Sequence, residues 1–199
     1  CDRVHPGRKL RRSLKIPRSL LPCCVSPSIA GSPDNASLRR MKAGAMSKDN
    51  KIADTFEVSP AAGYAGDVTP AVAWKILGEL KDAILIDVRT RAEWNYVGVP
   101  DLAGLDKKPG LVEWQVFPSM QVNPDFVGAL SEALADKTVP LLFLCRSGVR
   151  SVAAAKAMAA AGYSTCLNVA DGFEGPLDAQ GKRGATRGWK AAGLPWRQT

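Results

Sequence analysis

The feature that most constrains the fold is a short strand followed directly by a loop and a helix, within residues 139–162. Val139–Leu144 is a short apolar run, which is typical of a buried strand in a parallel sheet. Ser151–Ala161 is rich in alanine and other strong helix formers, and Gly162 stands where a helix C-terminus favours glycine. The pattern therefore predicts a strand–loop–helix unit of an α/β fold.

The loop of this unit reads Cys-Arg-Ser-Gly-Val-Arg and runs from Cys145 to Arg150. A tight loop that opens a helix directs successive backbone N–H groups toward one point, and the helix dipole adds to this positive potential. Cys145 leads the loop, so these amides, together with the two arginines, would stabilise a thiolate there. The sequence thus predicts that Cys145 is a nucleophile. The predicted anion-binding residues around it are Arg146, Ser147, Gly148, Val149, Arg150 and Ser151.

The manner of activation follows from the histidine content. The only histidine is His5, which lies far along the chain in a polar segment, so no Cys–His pair is expected at the loop. We therefore expect activation by amides and arginines rather than by an adjacent general base. The alternative is that Cys145 is a buried structural thiol, as free cysteines often are. Two arginines, a glycine and two serines do not suit a dry core, which favours the nucleophile.

Three motifs together resemble those of the rhodanese-like sulfurtransferases. LCRSGVRS, which begins at Leu144, resembles the active-site loop of that family. LIDVRTRAEW (Leu85–Trp94) resembles its DVR-x-x-x-E-aromatic segment, and Asp171–Gly175 resembles its GF-x-G region. The resemblance covers Asp67 to Arg197, one complete domain. It implies a single-domain sulfurtransferase of the thiosulfate sulfurtransferase type.

The resemblance also implies a mechanism and its partners. A thiolate at Cys145 takes the outer sulfur of a donor such as thiosulfate, and the persulfide passes it to a thiophilic acceptor, such as cyanide or a thiol. The family needs no metal or organic cofactor for this reaction. One departure is that the family's Gly-His-Ile-Pro-Gly-Ala turn is replaced by Tyr96–Leu102, without the histidine, followed by a longer connection through Asp106–Gly110. This departure concerns the acceptor-side rim of the pocket rather than the nucleophile.

Asp87 and Arg89 follow another predicted strand, Ala83–Val88, at its carboxyl end. Carboxyl ends of parallel strands meet at one edge of a sheet, so both residues are expected on the side of Cys145. The resemblance indicates that they support the loop and keep its amides aimed inward. A surface ion pair is the alternative.

Strand and helix signals alternate along residues 67–199. Thr69-Pro70 and Asn123-Pro124 each combine a cap residue with a helix-opening proline. The alternation predicts an α/β fold with a parallel sheet of about five strands and helices on both faces. Further predicted elements are a helix from Thr69 to Leu80, a short helix at Arg91–Tyr96, a strand at Glu113–Phe117, a helix from Asn123 to Leu134, a strand at Thr165–Ala170 and a last helix at Gly188–Ala192.

Charge divides the chain into residues 1–50 and residues 51–199. The first part carries 11 Lys and Arg against 3 Asp and Glu, whereas the second carries 16 of each. The net charge of +8 thus belongs to the first part, so it does not indicate nucleic-acid or membrane binding by the domain. We predict a disordered basic tail over 1–50 and a rhodanese-like domain over 51–199. A twin-arginine signal, an organellar transit peptide and extraneous upstream sequence are the interpretations weighed for the tail, and the last is favoured.

The five cysteines are Cys1, Cys23, Cys24, Cys145 and Cys166. Their spacing predicts neither a zinc site nor a disulfide framework, which suits a reducing cytoplasm. Cys166 is expected in the core, with a resolving role as the alternative. No apolar stretch is long enough to span a bilayer, so the expectation is a cytoplasmic protein that is a monomer or a weak homo-oligomer.

Three other functions compete with a thiosulfate sulfurtransferase. A cysteine phosphatase also places a thiolate in an amide cradle at a helix N-terminus. A non-catalytic rhodanese-like module would bind a protein partner, although such modules often lose the cysteine that stands here as Cys145. A mercaptopyruvate preference is disfavoured because that subgroup's loop is small and uncharged, whereas Arg146 and Arg150 stand here.

Deleting residues 1–45 tests the predicted domain boundary. Because this segment offers no sustained apolar face, we expect melting temperature and turnover to change little. Calorimetry and a sulfur-transfer assay on both proteins provide the measurement. A drop of several degrees in melting temperature would contradict the boundary.

Overall fold

The computed structural model describes residues 48–198, with side chains from residue 52 onward. Most of the predicted basic tail, residues 1–47, lies outside the described residues. Its last three residues, Lys48, Asp49 and Asn50, form the start of the first described helix. The tail and its boundary therefore stay predictions.

Five helices and ten strands make up the described part. The helices are α1 (Lys48–Thr55), α2 (Pro70–Glu79), α3 (Arg91–Val97), α4 (Phe126–Ala133) and α5 (Val149–Ala160), with a short 3₁₀ helix at Ala103–Leu105. The strands are β1 (Ser59–Ala61), β2 (Tyr64–Val68), β3 (Ile84–Asp87), β4 (Val99–Pro100), β5 (Gly110–Leu111), β6 (Gln115–Val116), β7 (Gln121–Val122), β8 (Leu141–Leu144), β9 (Cys166–Val169) and β10 (Trp196–Arg197).

A six-stranded sheet forms the centre, in the order β1-β2-β9-β8-β3-β5. All neighbouring strands in it are parallel except β1 and β2. Two further antiparallel pairs, β4 with β10 and β6 with β7, lie outside it. The predicted α/β architecture with a parallel sheet is confirmed. The sheet has six strands rather than about five. Strands β1 and β2 begin before residue 67, where the alternation of strand and helix signals becomes evident in the sequence.

The central strands are buried on both faces, and their side chains alternate between two apolar clusters. In β8, Leu142 and Leu144 pack in one cluster with α1 and α2, whereas Leu141 and Phe143 pack in the other with α4 and α5. This alternation follows from the two-residue period of a strand. It explains why the run LLFL is apolar throughout, and it places helices on both faces as predicted.

Of the two helix-opening signals, one acts as the sequence indicates and the other does not. Thr69 caps α2 by accepting from the backbone N–H of Val72 at 3.2 Å, and Pro70 is the first helical residue. Asn123 acts differently, because its side-chain oxygen accepts from the Asp125 N–H at 3.1 Å and forms a turn before the helix. Helix α4 therefore begins at Phe126, three residues later than predicted.

Two predicted elements are wrong. Only Gln115–Val116 of the predicted strand 113–117 is extended, and it belongs to the separate β6–β7 hairpin, while β5 occupies the edge of the main sheet. The predicted last helix at Gly188–Ala192 is a single turn. The backbone N–H groups of Trp189 and Lys190 donate to the carbonyls of Gly172 and Phe173, at 2.8 and 3.1 Å, so this segment is bonded to another loop. No helix within residues 48–198 is long and apolar enough to cross a membrane.

The long connection between β4 and β5 is fastened to the body of the domain by Lys107. Its Nζ donates to the carbonyl oxygens of Leu80 and Ala83, both at 2.7 Å. These carbonyls belong to the turn between α2 and β3, in which the Leu80 carbonyl also accepts from the Ala83 N–H at 3.1 Å, so the lysine fastens the connection to both ends of this turn. Partial burial of this ammonium lowers the pKa of Lys107, against a smaller opposing effect from Asp82.

Replacing this lysine tests the connection. Lys107→Met keeps the stem but removes both bonds, so we expect a loss of about 1–3 kcal/mol in the free energy of unfolding. Thermal and denaturant unfolding provide the measurement. Lys108→Met is the matched control, since Lys108 is exposed, and it should change stability little. Equal effects of the two substitutions would contradict this role of Lys107.

Candidate functional site

The site lies where β3, β8 and β9 end at the same edge of the sheet. Strand β8 lies between the other two, and Cys145 follows its last residue. Asp87 ends β3 and pairs in register with Leu144. Residues 170–175 follow β9 on the other side. The loops after three neighbouring strands thus meet at Cys145, as ligand sites of open α/β sheets do.

Two hydrogen-bond donors meet the sulfur of Cys145. The backbone N–H of Gly148 lies 3.1 Å from Sγ, and Oγ of Ser151 lies 3.2 Å from it. The Ser151 hydroxyl is also 3.0 Å from the Gly148 carbonyl oxygen, so its single proton can go to either acceptor. Gly148 has φ 100°, a conformation that favours glycine, and it directly precedes α5. The loop therefore holds an amide and a hydroxyl against the sulfur at a helix N-terminus.

A segment after β9, Gly172–Gly175, holds this loop from behind, and we call it the strap. Its Phe173 N–H donates to the Cys145 carbonyl at 2.7 Å, and the next two N–H groups donate to the Arg146 carbonyl at 3.0 and 3.2 Å. A Cβ on Gly172 would collide with the carbonyl oxygen of Cys145, and its φ is 61°. The GF-x-G motif therefore has a physical reason, because only glycine allows the strap to approach the loop this closely.

Asp87 and Arg89 form a buried ion pair behind the strap. Both side chains are 0% exposed, and Nη2 of Arg89 lies 2.6 Å from an Asp87 carboxylate oxygen. The same nitrogen donates to the Gly98 carbonyl at 2.7 Å, and the guanidinium carbon lies 4.0 Å from the centre of the Phe173 ring. The surface ion pair considered as an alternative is therefore wrong. Arg89 contacts the strap rather than the loop itself, which is consistent with a supporting role.

Arg150 forms an ion pair with a carboxylate on the neighbouring helix. Its two terminal nitrogens each donate to an oxygen of Glu93 at 2.6 Å. Glu93 also caps α3, where its side chain accepts from the Thr90 N–H at 3.0 Å. Burial acts to raise the pKa of Glu93, but the bonds from Arg150 and Thr90 outweigh it and lower the pKa to about 2. The pair is thus charge-compensated and ties α3 to the loop, while the anion-binding role of Arg150 stays a prediction.

The cleft in front of Cys145 is open and has a volume of about 570 Å³. Ser147 lies in its wall, and Arg146 and Val149 are exposed at it. Among the side chains that the structure describes, those of residues 52–198, Arg146 has no ion-pair partner. Glu174, from the strap, also lines the cleft. No group of three or more His, Cys, Asp or Glu side chains in the described part is placed to hold a metal ion.

The structure brings all the predicted site residues to one end of the sheet and adds others. Glu93 is a new member, and its signal is the spacing Thr90-x-x-Glu93, which predicts a capping box. Tyr96, Phe117 and Met120 also line the cleft. Nothing in the local sequence indicates that the last two would line the Cys145 cleft, since they come from a hairpin outside the main sheet.

A model of the protein family described as the STR4 middle domain matches residues 66–199. The chain belongs to this family. The "Uncharacterized protein RP600 homolog" of Rickettsia rickettsii is 39% identical over 125 residues, which cover 62% of this chain and 90% of that protein. "Rhodanese-like domain-containing protein 4, chloroplastic" of Arabidopsis thaliana is 30% identical over 125 residues, covering 62% of this chain and 24% of that protein. The crystal structure of Rv0390 from M. tuberculosis has 48% identity and a TM-score of 0.64, and the match covers 68% of this chain and 99% of that one.

Membership in the STR4 middle domain family agrees with the motifs and the fold. The matched range contains the Cys145 loop, the strap and the Asp87–Arg89 pair. The chain is also similar to a rhodanese-like domain-containing protein, which agrees with the family resemblance of its motifs.

The Glu93–Arg150 pair predicts a particular dependence of stability on pH. A carboxyl group whose pKa is lowered by folding contributes stability above its unfolded value of 4.5, and this contribution is lost as pH falls toward about 2. Glu93→Gln should therefore lower the free energy of unfolding by about 2 kcal/mol at neutral pH. The difference from the wild type should shrink as the pH is lowered from about 4.5 toward about 2.

Melting temperatures of both proteins across this pH range provide the measurement. Glu132→Gln is the matched control, because Glu132 is exposed on α4, and it should match the wild type throughout. A Glu93→Gln difference that remains constant down to about pH 3 would contradict the role of the ionised carboxylate.

Proposed function

We propose that this domain is a sulfurtransferase that carries a sulfane sulfur on Cys145 as a persulfide, with thiosulfate as a donor. The observation that carries the proposal is the pair of donors, the Gly148 N–H and the Ser151 hydroxyl, at 3.1 and 3.2 Å from the Cys145 sulfur. Donors that are fixed before the reaction stabilise charge on the reacting atom without further reorganisation. A thiolate and a persulfide anion are both charges of this kind.

In the first step the Cys145 thiolate attacks the outer sulfur of thiosulfate. A new S–S bond forms to Sγ, the S–S bond of thiosulfate breaks, and sulfite leaves with the electron pair. No external oxidant or reductant is needed, because the sulfur moves as a neutral atom between two nucleophiles. The residue itself is only 1% exposed, yet it lines the cleft, so the transferred sulfur would extend into the open space.

In the second step a thiophilic acceptor, such as cyanide or a thiol, attacks the outer sulfur of the persulfide. The bond to Sγ breaks and its electron pair returns to Cys145 as a thiolate. The Gly148 amide and the Ser151 hydroxyl stabilise this leaving group as they stabilise the attacking group in the first step. One set of donors thus serves both half-reactions.

The two arginines of the loop have different surroundings, and we assign them different parts. Arg146 is exposed at the cleft, so it can contact an anionic donor. Arg150 makes two bonds to Glu93, which fixes the start of α5 against α3. In this proposal Arg150 positions the loop that binds the sulfur, while Arg146 provides an uncompensated positive charge.

A protein-binding module without catalysis is the rival from another functional class. Such a module requires neither a nucleophile nor donors directed at it. Here the Gly148 amide and the Ser151 hydroxyl converge on a cysteine at a cleft, and the strap holds their loop with three backbone hydrogen bonds. This arrangement favours the enzyme.

A cysteine phosphatase is the rival enzyme, and the length of the loop argues against it. Four residues separate Cys145 from Arg150. In cysteine phosphatases of the tyrosine-phosphatase and cell-cycle types, five residues separate the cysteine from the arginine. An amide cradle is a ring of donors around one point, so a shorter loop makes a smaller ring with fewer donors. A phosphate ester has three oxygens to hold during in-line attack, which favours the larger ring.

Both activities can be measured on the same preparation. Wild-type protein treated with thiosulfate should gain the mass of one sulfur atom, turn over thiosulfate with cyanide, and hydrolyse aryl phosphates negligibly. Cys145→Ser should gain no sulfur and lose turnover by a factor on the order of 10³ or more, because a serine hydroxyl without a base is a weak nucleophile.

Cys166→Ser is the matched control, since Cys166 is the other cysteine of the described residues and is buried in β9. It should keep both sulfur uptake and turnover. Aryl phosphate hydrolysis that depends on Cys145, without sulfur uptake from thiosulfate, would overturn the assignment. Loss of uptake in folded Cys166→Ser would overturn the mechanism with a single cysteine.

A further inference from the structure

Four large apolar side chains surround the mouth of the Cys145 cleft, and all of them are exposed. They come from α3, from the β6–β7 hairpin and from the first turn of α5, three elements that are far apart in the sequence. We call them the apolar collar. Its members, with their exposed fractions, are Tyr96 (81%), Phe117 (60%), Met120 (41%) and Val149 (78%).

The collar is not a by-product of core packing. The domain buries its apolar residues in two clusters on the faces of the sheet, and the collar residues belong to neither. Single exposed apolar residues are ordinary, but several that converge on one cleft mark a site of interaction. Tyrosine, phenylalanine and methionine are also among the residues enriched at protein interfaces.

The two arginines at the cleft differ in how far their charge is compensated. Arg150 is paired with Glu93, whereas the exposed Arg146 keeps its charge available to a ligand. Small anions therefore gain little from the cleft beyond the loop amides and Arg146. Such ions also have no apolar surface to place on the collar, so the collar serves some larger ligand.

The size and nature of that ligand follow from the collar. A cleft of about 570 Å³ with apolar walls can bury several side chains of an extended segment. Arg146, which makes no ion pair with the described side chains of residues 52–198, can pair with a carboxylate on the same segment. A ligand that fits this cleft has apolar side chains for the collar, a thiol that reaches the Cys145 sulfur and a carboxylate for Arg146. A polypeptide that contains a cysteine has all three.

We propose that the acceptor of the Cys145 sulfur is a cysteine thiol on a polypeptide, whose neighbouring apolar side chains dock on the apolar collar and whose acidic residue meets Arg146. This inference rests on the proposed function, since it names the acceptor class of the same site. The acceptor thiolate attacks the outer sulfur of the Cys145 persulfide. The bond to Sγ breaks, its electron pair returns to Cys145, and the acceptor cysteine becomes the persulfide with no other reactant.

The test compares acceptors on protein that has been loaded with thiosulfate. One synthetic peptide has a central cysteine flanked by leucines and one aspartate, a second has serines in place of the leucines, and glutathione represents small thiols. We expect the wild type to transfer sulfur to the leucine peptide about tenfold faster than to the serine peptide. In Phe117→Ser the ratio of the leucine-peptide rate to the glutathione rate should fall about tenfold, which is the effect of losing one well-packed contact.

Leu177→Ser is the matched control, because Leu177 is 56% exposed but lies outside the cleft lining. It should leave this ratio unchanged. Equal rates with the two peptides, or an equal loss toward peptide and glutathione in Phe117→Ser, would overturn the proposal. Sedimentation of the wild type provides another test. Self-association that Phe117→Ser abolishes would assign the collar to a second copy of the chain and overturn a foreign acceptor.

Docking can also be measured without sulfur chemistry. A fluorescent leucine peptide with serine in place of its cysteine should bind Cys145→Ser protein and bind the double variant with Phe117→Ser about tenfold more weakly. If thiosulfate fails to load Cys145 but the peptide still binds in this way, the proposed function fails while the docking surface stands. If thiosulfate loads Cys145 but the fluorescent leucine peptide does not bind, the docking proposal fails and the proposed function stands.

Discussion

The hydrogen bonds between the strap and the Cys145 loop are the constraint on which the site depends. The carbonyls of Cys145 and Arg146 are bound by three N–H groups of the strap. With its carbonyls held on one side, the loop directs the Gly148 N–H toward the sulfur on the other. A site fixed by backbone bonds keeps its donors in place before the substrate arrives, which is what electrostatic stabilisation requires. Gly172 makes this contact possible because no side chain separates the two backbones.

The buried Asp87–Arg89 ion pair supports the strap from behind. Burying the charges of Asp87 and Arg89 costs free energy, and their mutual bonds and the Gly98 carbonyl offset it. The guanidinium then packs on Phe173, the residue whose N–H binds the Cys145 carbonyl. Glu93 and Arg150 join α3 to the loop. One ion pair therefore holds the loop directly, and the other supports it through Phe173 of the strap.

The sequence predicted most of the fold because the central elements have strong local signals. The apolar run Leu141–Leu144 and the Thr69-Pro70 cap each carry enough information to place a strand or a helix. The predictions failed at 113–117 and 188–192, where elements are short and long-range backbone bonds decide the conformation. Trp189, for example, donates its N–H to Gly172 instead of continuing a helix. A local pattern contains no information about such a partner.

What the sequence by itself determined is the chemistry: a cysteine that opens a loop of donors at a helix N-terminus, after a strand of a parallel sheet. Tertiary structure alone decided the surroundings of that cysteine. Arg150 meets Glu93, a residue 57 positions away, and this contact leaves Arg146 as the uncompensated charge of the loop. The β6–β7 hairpin brings Phe117 to the same cleft. Spacing along a chain fixes neighbours within an element, but contacts between elements depend on how the whole sheet is ordered, and only the fold supplies that order.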